Sequence, residues 1–375
     1  MIGAVRSSDK SVAAVDAHRA DTYSEFKPMR RTTRFPVLGA QYKRDELHIA
    51  IVNHSRKRVA MEFALANLCT ADGERAAIAL SSGYFRLDRL GPAVGAGMGT
   101  SLREVVSRWQ SAWPLLAEMA AQCAAAGASS SAYVPAADAA LVTPIRFPNK
   151  LVCVGAVYRD HLREFNLPAE RWPRMPMFLR PPSTSIVGPG DDIAIPPNTK
   201  QFDWEVELAV VMGARLTDAD LDSAEAAIAG YSVGVDLTCR DLLDRESAVG
   251  VDLVRAKAQD AMAPVGPVLM PAAFVGDPQR LGLRLYVNDE IKQDGCTSDM
   301  LYTVYEQVAT ISRFITLEPG DIVFTGSCAG SGASTGQFLK PGDRIRAEID
   351  KVGRLEVGIA EARPRPPGYR ERLVD

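Results

Sequence analysis

Alternating apolar and polar positions predict short strands in the stretch that begins at residue 61. The segments FALANL, RAAIAL and GYFRLDRL (63–90) are separated by the turn-forming sequences ADGE and SSG. Residues 101–127 then have the apolar spacing of a helix, with Ser101 and Glu104 at capping-box spacing and Gly127 as a natural stop. Pro114 should break or kink this helix, or begin a second one.

The rest of the chain is dominated by strand patterns. An Ala/Ser-rich stretch (124–140) has the composition of a linker, and residues 143–363 contain many apolar runs separated by Gly, Pro and Asp turns. Only 218–228 and 301–315 have clear helical periodicity there. The excess of strands over crossover helices predicts an α+β fold that is mainly β, with an antiparallel or mixed sheet.

These patterns divide the chain into four segments. We predict an N-terminal extension that is flexible and mostly outside the core, a small N-terminal α/β domain, a larger β-rich domain and a C-terminal tail; their bounds are 1–60, 61–142, 143–363 and 364–375. The extension holds 12 basic and 6 acidic residues. A nucleic-acid-binding arm is the less favoured interpretation, because the basic residues are mixed with acidic ones.

Composition excludes several classes of protein. The 375 residues are 47% hydrophobic and 24% charged, which supports a packed core, and the formal net charge of −3 gives no electrostatic case for nucleic acid. No apolar stretch approaches the roughly 20 residues of a membrane span, and the first residues lack a secretory apolar region. Six scattered cysteines without a CxxC pair favour reduced thiols. We therefore expect a cytoplasmic protein without nucleic-acid or membrane partners.

Two glutamates and an aspartate are candidate metal ligands. Glu205 and Glu207 are two positions apart in a strand pattern, so they should share a face that continues with apolar residues at 209 and 211. Asp236 ends a second apolar run. Three carboxylates form an all-oxygen set that suits Mg²⁺, Mn²⁺ or Ca²⁺ and not zinc. From these residues alone, a solvated strand face is the alternative.

A histidine and a lysine are candidate catalytic groups. His161 precedes Glu164 by three residues, so on a helical turn the carboxylate can orient the imidazole as a general base for water. Lys257 is one of only 10 lysines among 43 basic residues and could stabilise a developing enolate or oxyanion. A surface His–Glu pair and an exposed lysine are the alternatives.

The order of these motifs resembles the fumarylacetoacetate hydrolase superfamily. The motifs are GxxYxxH…E (155–164), DxEVEL (203–208), GYxxxxDxxxRD (230–241), KxxD…PxGP (257–267) and LxPGDxxxTG (317–326). The resemblance covers about residues 149–363, and a fainter likeness covers 61–142.

The resemblance implies a mixed β-sandwich roll, usually a homodimer, with one divalent ion, Mg²⁺ above all. It implies that Glu205, Glu207 and Asp236 hold the ion and that 2-oxo or β-diketo acids are the substrates. It also implies a catalytic role for three residues and substrate contacts for five others: His161, Glu164 and Lys257, and then Tyr158, Arg240, Thr325, Gly326 and Ser327.

The sequence departs from the family pattern on the substrate side. Val157 stands where Asn is frequent, Leu243 where Gln is frequent, Arg180 where Lys is common, and Cys328 in place of a Pro in the Gly-rich loop. The metal and dyad positions match the pattern. We infer that the chemistry is retained and that the preferred substrate is unusual.

The resulting hypothesis is a Mg²⁺-dependent hydrolase that cleaves a C–C bond in an acylpyruvate-like or other β-dicarbonyl acid, a reaction of aromatic-compound catabolism. His161, oriented by Glu164, would deprotonate water, and the metal and Lys257 would stabilise the enolate. A decarboxylase, isomerase or hydratase acting at the same site is the alternative, as is a non-catalytic metabolite-binding protein.

Overall fold

The computed structural model describes residues 61–90, 100–244 and 250–362. The predictions made for the extension (1–60) and for the tail (364–375) lie outside the described residues. None of the helices in the described part of the chain combines the length and apolar character that a membrane crossing requires.

The stretch from residue 61 to 142 forms a small meander covered by helices. Its strands and helices are β1 (Ala64–Thr70), β2 (Gly73–Leu80), β3 (Gly83–Arg86), α1 (Leu102–Val106), α2 (Trp109–Ala126), β4 (Tyr133–Val134) and β5 (Leu141–Val142). The three predicted strands are confirmed. Ser101 and Glu104 form the predicted capping box at the start of α1, and Gly127 ends α2 with a φ of 53°.

Pro114 neither breaks a helix nor begins one, so these two forms of the prediction are wrong, while a kink at Pro114 stays a prediction. The helix is interrupted earlier, at 107–108, where Arg108 leaves the helical region with φ −122° and ψ 27°. Pro114 lies inside α2, where its ring nitrogen cannot donate the usual backbone hydrogen bond. The helix continues past it because one face of α2, which includes Leu116 and Met119, is fully buried in the core.

The region after residue 142 contains the remaining elements. The strands are β6 (Leu151–Val154), β7 (Met177–Arg180), β8 (Ile186–Val187), β9 (Asp192–Ala194), β10 (Phe202–Asp203), β11 (Val206–Met212), β12 (Ile228–Val235), β13 (Thr238–Cys239), β14 (Ala263–Pro271), β15 (Gly282–Val287), β16 (Glu290–Cys296), β17 (Ile322–Ser327), β18 (Arg344–Ile349) and β19 (Gly353–Ala360). The helices are α3 (Arg159–Glu164), α4 (Leu221–Ala226), α5 (Leu253–Lys257), α6 (Ala272–Val275), α7 (Val304–Ser312) and α8 (Gly332–Thr335).

Most strands belong to one large sheet and one smaller sheet. The large sheet has the order β4-β3-β2-β1-β14-β12-β11-β17-β6-β7, and the smaller one has the order β16-β15-β18-β19-β9. Neighbours are antiparallel except for β17 with β6, β14 with β8 and β19 with β9, which are parallel. The predicted α+β fold, mainly β with a mixed sheet, is confirmed. Since β1 pairs with β14, the segments on both sides of residue 142 share a sheet. The domain boundary there stays a prediction.

Strand β11 lies between two layers of the core. Val206, Leu208 and Val210 pack in the cluster that includes residues of the smaller sheet, whereas Ala209 and Val211 pack in the cluster that includes α1 and α2. All seven residues of β11 are buried. A carboxylate on this strand is therefore buried, because the apolar residues before and after it pack into the core.

Candidate metal centre and catalytic site

Three carboxylates meet where β11 begins and β12 ends. Glu207 lies on β11, Glu205 in the link just before it, and Asp236 directly after β12. The antiparallel pairing of Val206 with Val235 aligns the two strand ends, and the Asp236 backbone N–H donates to the Glu205 carbonyl at 2.8 Å. One oxygen from each carboxylate lies within 4.8 Å of the others, and all three residues are buried. A solvated strand face is therefore excluded.

Three cations surround these carboxylates. Lys257 Nζ, at the end of α5, lies 2.7 Å from Glu205 Oε2 and 2.6 Å from Asp236 Oδ2. The Arg180 guanidinium contacts Asp236 Oδ1, and the Arg240 guanidinium contacts Glu205 Oε1. Lys257 is buried, so the structure does not support the alternative of an exposed lysine.

The two glutamates have opposite electrostatic environments. Burial would raise the pKa of Glu205, but Lys257 and Arg240 outweigh it and lower that pKa. Burial and the charge of Glu205 raise the pKa of Glu207 to about 8. Glu207 accepts a hydrogen bond from Gly326 N at 2.6 Å and forms no ion pair within the described ranges. Glu207 is thus a buried carboxylate without a cation of its own.

The arrangement fits a hard divalent cation. The three side chains offer only oxygen donors, their separations allow a common point of contact, and Glu207 forms no ion pair with any described residue. Lys257 bridges Glu205 and Asp236 at the same place, so a bound ion would share or take over that role. We conclude that these residues could hold such an ion.

The predicted His–Glu pair is formed beside the triad. His161 Nδ1 lies 2.6 Å from Glu164 Oε1, and the opposite nitrogen, Nε2, lies 3.8 Å from Glu205 Oε1. Glu164 Oε2 accepts from Gly330 N at 2.8 Å. Burial opposes ionisation of Glu164, but the hydrogen bonds from His161 and Gly330 outweigh it and lower its pKa. An imidazole that donates from Nδ1 presents the Nε2 lone pair toward the triad.

Three of the residues predicted to contact substrate, Thr325, Gly326 and Ser327, form hydrogen bonds to β11. Thr325 Oγ1 and Ser327 Oγ donate to the carbonyls of Leu208 and Val206, at 2.9 and 2.8 Å, and so tie β17 to β11. Gly326 holds Glu207 through its N–H. Tyr158 is fully buried just before α3, and its hydroxyl has no hydrogen-bond partner among the described residues. Their role in substrate binding, like that of Arg240, stays a prediction.

Comparison with known proteins assigns the family. Residues 150–360 match the sequence model described as fumarylacetoacetate (FAA) hydrolase C-terminal. The chain belongs to the fumarylacetoacetate hydrolase family. The superfamily resemblance noted in the sequence is thereby confirmed.

Members of this family that are similar to the chain include enzymes with different reactions. The human mitochondrial oxaloacetate tautomerase FAHD2B is 36% identical over 222 residues, 59% of this chain and 69% of that protein. Fumarylpyruvate hydrolase from Pseudomonas aeruginosa, solved with Mn²⁺ and pyruvate, is 34% identical with a TM-score of 0.53, covering 58% of this chain and 91% of that one. Fumarylacetoacetate hydrolase from Exiguobacterium antarcticum is 28% identical with a TM-score of 0.62, covering 80% and 100%.

Two buried residues that hold parts of this site together are absent from the functional residues that the sequence predicts. Asp203 accepts hydrogen bonds from Arg240 and from the segment that contains Gly332. Gln293, on β16 of the smaller sheet, accepts from Val206 N at 2.8 Å and donates to Ser327 Oγ at 2.9 Å. Asp203 belongs to the DxEVEL motif, and this position is a signal in the sequence. Gln293 lies in an ordinary strand pattern, which contains no such signal.

Proposed function

We propose that the protein is a Mg²⁺-dependent hydrolase that cleaves a C–C bond in an acylpyruvate-like or other β-diketo acid. The observation that carries the proposal is the placement of the His161–Glu164 pair against the carboxylate triad, with His161 Nε2 3.8 Å from Glu205. A base beside an oxygen-donor cation site is what activation of water next to a chelated 2-oxo acid requires. The similar fumarylpyruvate hydrolase with Mn²⁺ and pyruvate supports this class of substrate.

When bound by Glu205, Glu207 and Asp236, the metal ion supplies Lewis-acid chemistry and a template for a 2-oxo carboxylate. His161 takes a proton from water as the water oxygen bonds to the distal carbonyl carbon. The C–C bond then breaks, its electron pair passes to the pyruvate fragment as an enolate, and a proton is returned to that carbon. The products are pyruvate and one carboxylic acid.

Two groups of the chain support this proton transfer. Glu164 fixes the ring of His161 and stabilises the imidazolium that forms when Nε2 accepts the proton. Lys257 Nζ is buried between Glu205 and Asp236 and gives the site a compact cation for the developing enolate charge. A lysine with three donors can keep both carboxylate contacts and still donate to a substrate oxygen.

Tautomerisation of oxaloacetate is a second candidate, favoured by the similarity to the human oxaloacetate tautomerase. That reaction needs a base to move one proton between C3 and the 2-oxo oxygen, and it needs no water attack. His161 could serve as that base in the same position. A homodimeric state and a cytoplasmic location also stay predictions.

A turnover assay separates the candidates. The protein would be given a panel of acylpyruvates and enol-oxaloacetate, with Mg²⁺, with Mn²⁺ and with a chelator. Hydrolysis is expected to yield pyruvate and an acid in equal amounts, and to cease in chelator. Faster ketonisation of oxaloacetate without cleavage of any acylpyruvate would favour the tautomerase, and release of carbon dioxide would favour a decarboxylase. Full activity in chelator would refute a metal-dependent reaction.

A further inference from the structure

Asp203 is a buried carboxylate that accepts four hydrogen bonds. Its Oδ1 accepts from Trp204 N at 2.7 Å and from Gly332 N at 2.6 Å. Its Oδ2 accepts from Arg240 Nε at 2.7 Å and from Ala333 N at 3.0 Å. The side chain is completely buried. Asp203 therefore holds both a cation and the Gly-rich segment, although it is outside the carboxylate triad.

Arg240 is shared between Asp203 and the triad. While its Nε donates to Asp203, its Nη2 contacts Glu205 Oε1, and the guanidinium is largely buried. A cation that binds Glu205 competes with Arg240 for the negative charge of that carboxylate. Arg240 then keeps a full counter-charge only if a second carboxylate lies in contact with it, and Asp203 is in that place.

We propose that Asp203 is a positioning residue that retains Arg240 when a divalent cation takes up Glu205, and that it thereby sets the metal affinity of the site. The inference rests on the proposed metal-dependent function. Without the charge of Asp203, Arg240 would be left with Glu205 as its carboxylate partner and would compete with the ion for it. Groups that hold metal ligands from behind typically change metal affinity by about 10–100-fold when altered.

The same carboxylate connects the triad with the His–Glu pair. Asp203 fixes the backbone at Gly332 and Ala333, and two residues earlier Gly330 N donates to Glu164. Trp204 Nε1 also donates to the Gly330 carbonyl, at 3.1 Å. A displacement of Asp203 would therefore change the positions of both the carboxylate triad and the His161–Glu164 pair.

Substitution of Asp203 by Asn tests the proposal selectively. An asparagine has one carbonyl oxygen, so it can accept from only one of the two pairs of donors and carries no charge for Arg240. Binding of Mn²⁺ alone, without substrate, would be followed by the loss of the free-ion EPR signal on titration. We expect Asp203→Asn to bind Mn²⁺ about 10–100-fold more weakly than the unsubstituted protein.

Removal of the competing cation should restore binding. In the double variant Asp203→Asn/Arg240→Gln, no guanidinium competes for Glu205, and the Mn²⁺ affinity is expected to return to within about threefold of the original. A purely structural loss at residue 203 would not be rescued by a second substitution. Arg240→Gln alone should bind Mn²⁺ at least as tightly as the unsubstituted protein, and it tests the proposal even if Asp203→Asn fails to fold.

Asp321 provides a matched control. It is also completely buried, accepts from two backbone N–H groups (Lys150 and Glu318) and pairs with Lys150 Nζ at 2.8 Å, at the opposite end of β17 from the site. Asp321→Asn should lower stability and leave Mn²⁺ affinity unchanged.

Three results would overturn the inference: unchanged Mn²⁺ affinity in Asp203→Asn, no recovery in the double variant, or a tenfold weaker affinity in Arg240→Gln alone. Because the readout is metal binding without substrate, the inference can hold while the proposed reaction fails. In that case the protein would bind Mn²⁺ as described and turn over none of the acids. Absence of Mn²⁺ binding by the unsubstituted protein would overturn both.

Discussion

Lys257 and Asp236 form a buried ion pair in which Nζ lies 2.6 Å from Oδ2. The same ammonium lies 2.7 Å from Glu205 Oε2, so one lysine partly neutralises two carboxylates that the sequence predicts to be metal ligands. The lysine and a divalent ion therefore have overlapping electrostatic roles, and their contributions can be separated by experiment.

Lys257→Met keeps most of the side-chain stem and removes the charge. Without metal, breaking a buried ion pair in this way is expected to lower the free energy of unfolding by about 3–5 kcal/mol. Added Mg²⁺ should then raise the melting temperature of the variant more than that of the original protein, because the ion replaces the missing charge. Thermal unfolding with Mg²⁺ and with chelator measures both effects.

Lys150→Met is the control for that measurement, since Lys150 also bridges two acids, Glu318 and Asp321, at 2.9 and 2.8 Å. Its loss of stability should not respond to Mg²⁺. An equal Mg²⁺ response in both variants would argue against a role of Lys257 at the metal site.

His161→Asn should separate catalysis from metal binding. The variant loses the base, for which a turnover number about 10²–10⁴-fold lower is expected. Its Mn²⁺ affinity should stay unchanged, since His161 is 3.8 Å from Glu205 and is not among the three carboxylates. Steady-state kinetics and Mn²⁺ titration give the two values. An unimpaired turnover number would remove His161 from the mechanism.

Glu164 should contribute a pH-dependent part of the stability. Burial opposes ionisation of Glu164, but the hydrogen bonds from His161 and Gly330 have the larger effect. The pKa of Glu164 in the folded state is therefore lower than the ordinary value of 4.5. A lowered carboxylate pKa stabilises the fold above the unfolded-state pKa, and this contribution is lost as the pH falls through the folded-state pKa. Glu164→Gln should therefore unfold at a lower temperature near pH 7, and the difference should shrink below about pH 4.5. A difference that is constant from pH 7 to pH 3.5 would contradict this.

Gly326→Ala should be more harmful than Gly336→Ala. Both glycines have a left-handed backbone, with φ of 86° and 69°, so both variants bear a strain of about 1–2 kcal/mol. A Cβ at Gly326 would lie 2.5 Å from Val157 Cγ2, whereas one at Gly336 would have no described atom within 4 Å. Gly326 N also holds Glu207.

We expect Gly326→Ala to show the lower melting temperature and the weaker Mn²⁺ binding of the two. Thermal unfolding and EPR titration of both variants make the comparison. Equal losses would show that backbone strain alone matters.

The strands and the triad could be predicted because their signals are local. The alternation in residues 203–211 placed Glu205 and Glu207 together, and Asp236 followed from the end of a second apolar run. The close approach of these carboxylates, which the metal hypothesis required, is present. The same holds for His161 and Glu164, whose three-residue spacing on a helical turn is a short-range relationship.

The remaining contacts join positions that are distant in sequence. Gln293 reaches Val206 across 87 residues, and Gly332 reaches Asp203 across 129. Such pairings depend on how distant parts of the chain pack together in three dimensions, and no periodicity within one strand encodes them. The continuation of α2 past Pro114 has a related cause, since burial of one helix face outweighs the local cost of the proline.

The pairing of β1 with β14 has a practical consequence for shortened versions of this protein. Deletion of residues 61–142 would remove β1 and β5 from the large sheet. Backbone amide and carbonyl groups of β14 would then be exposed along the edge where β1 now pairs. A chain that starts at Thr143 would then be prone to self-association through the bare strand. Expression and crystallisation trials should therefore keep the residues that precede the family match.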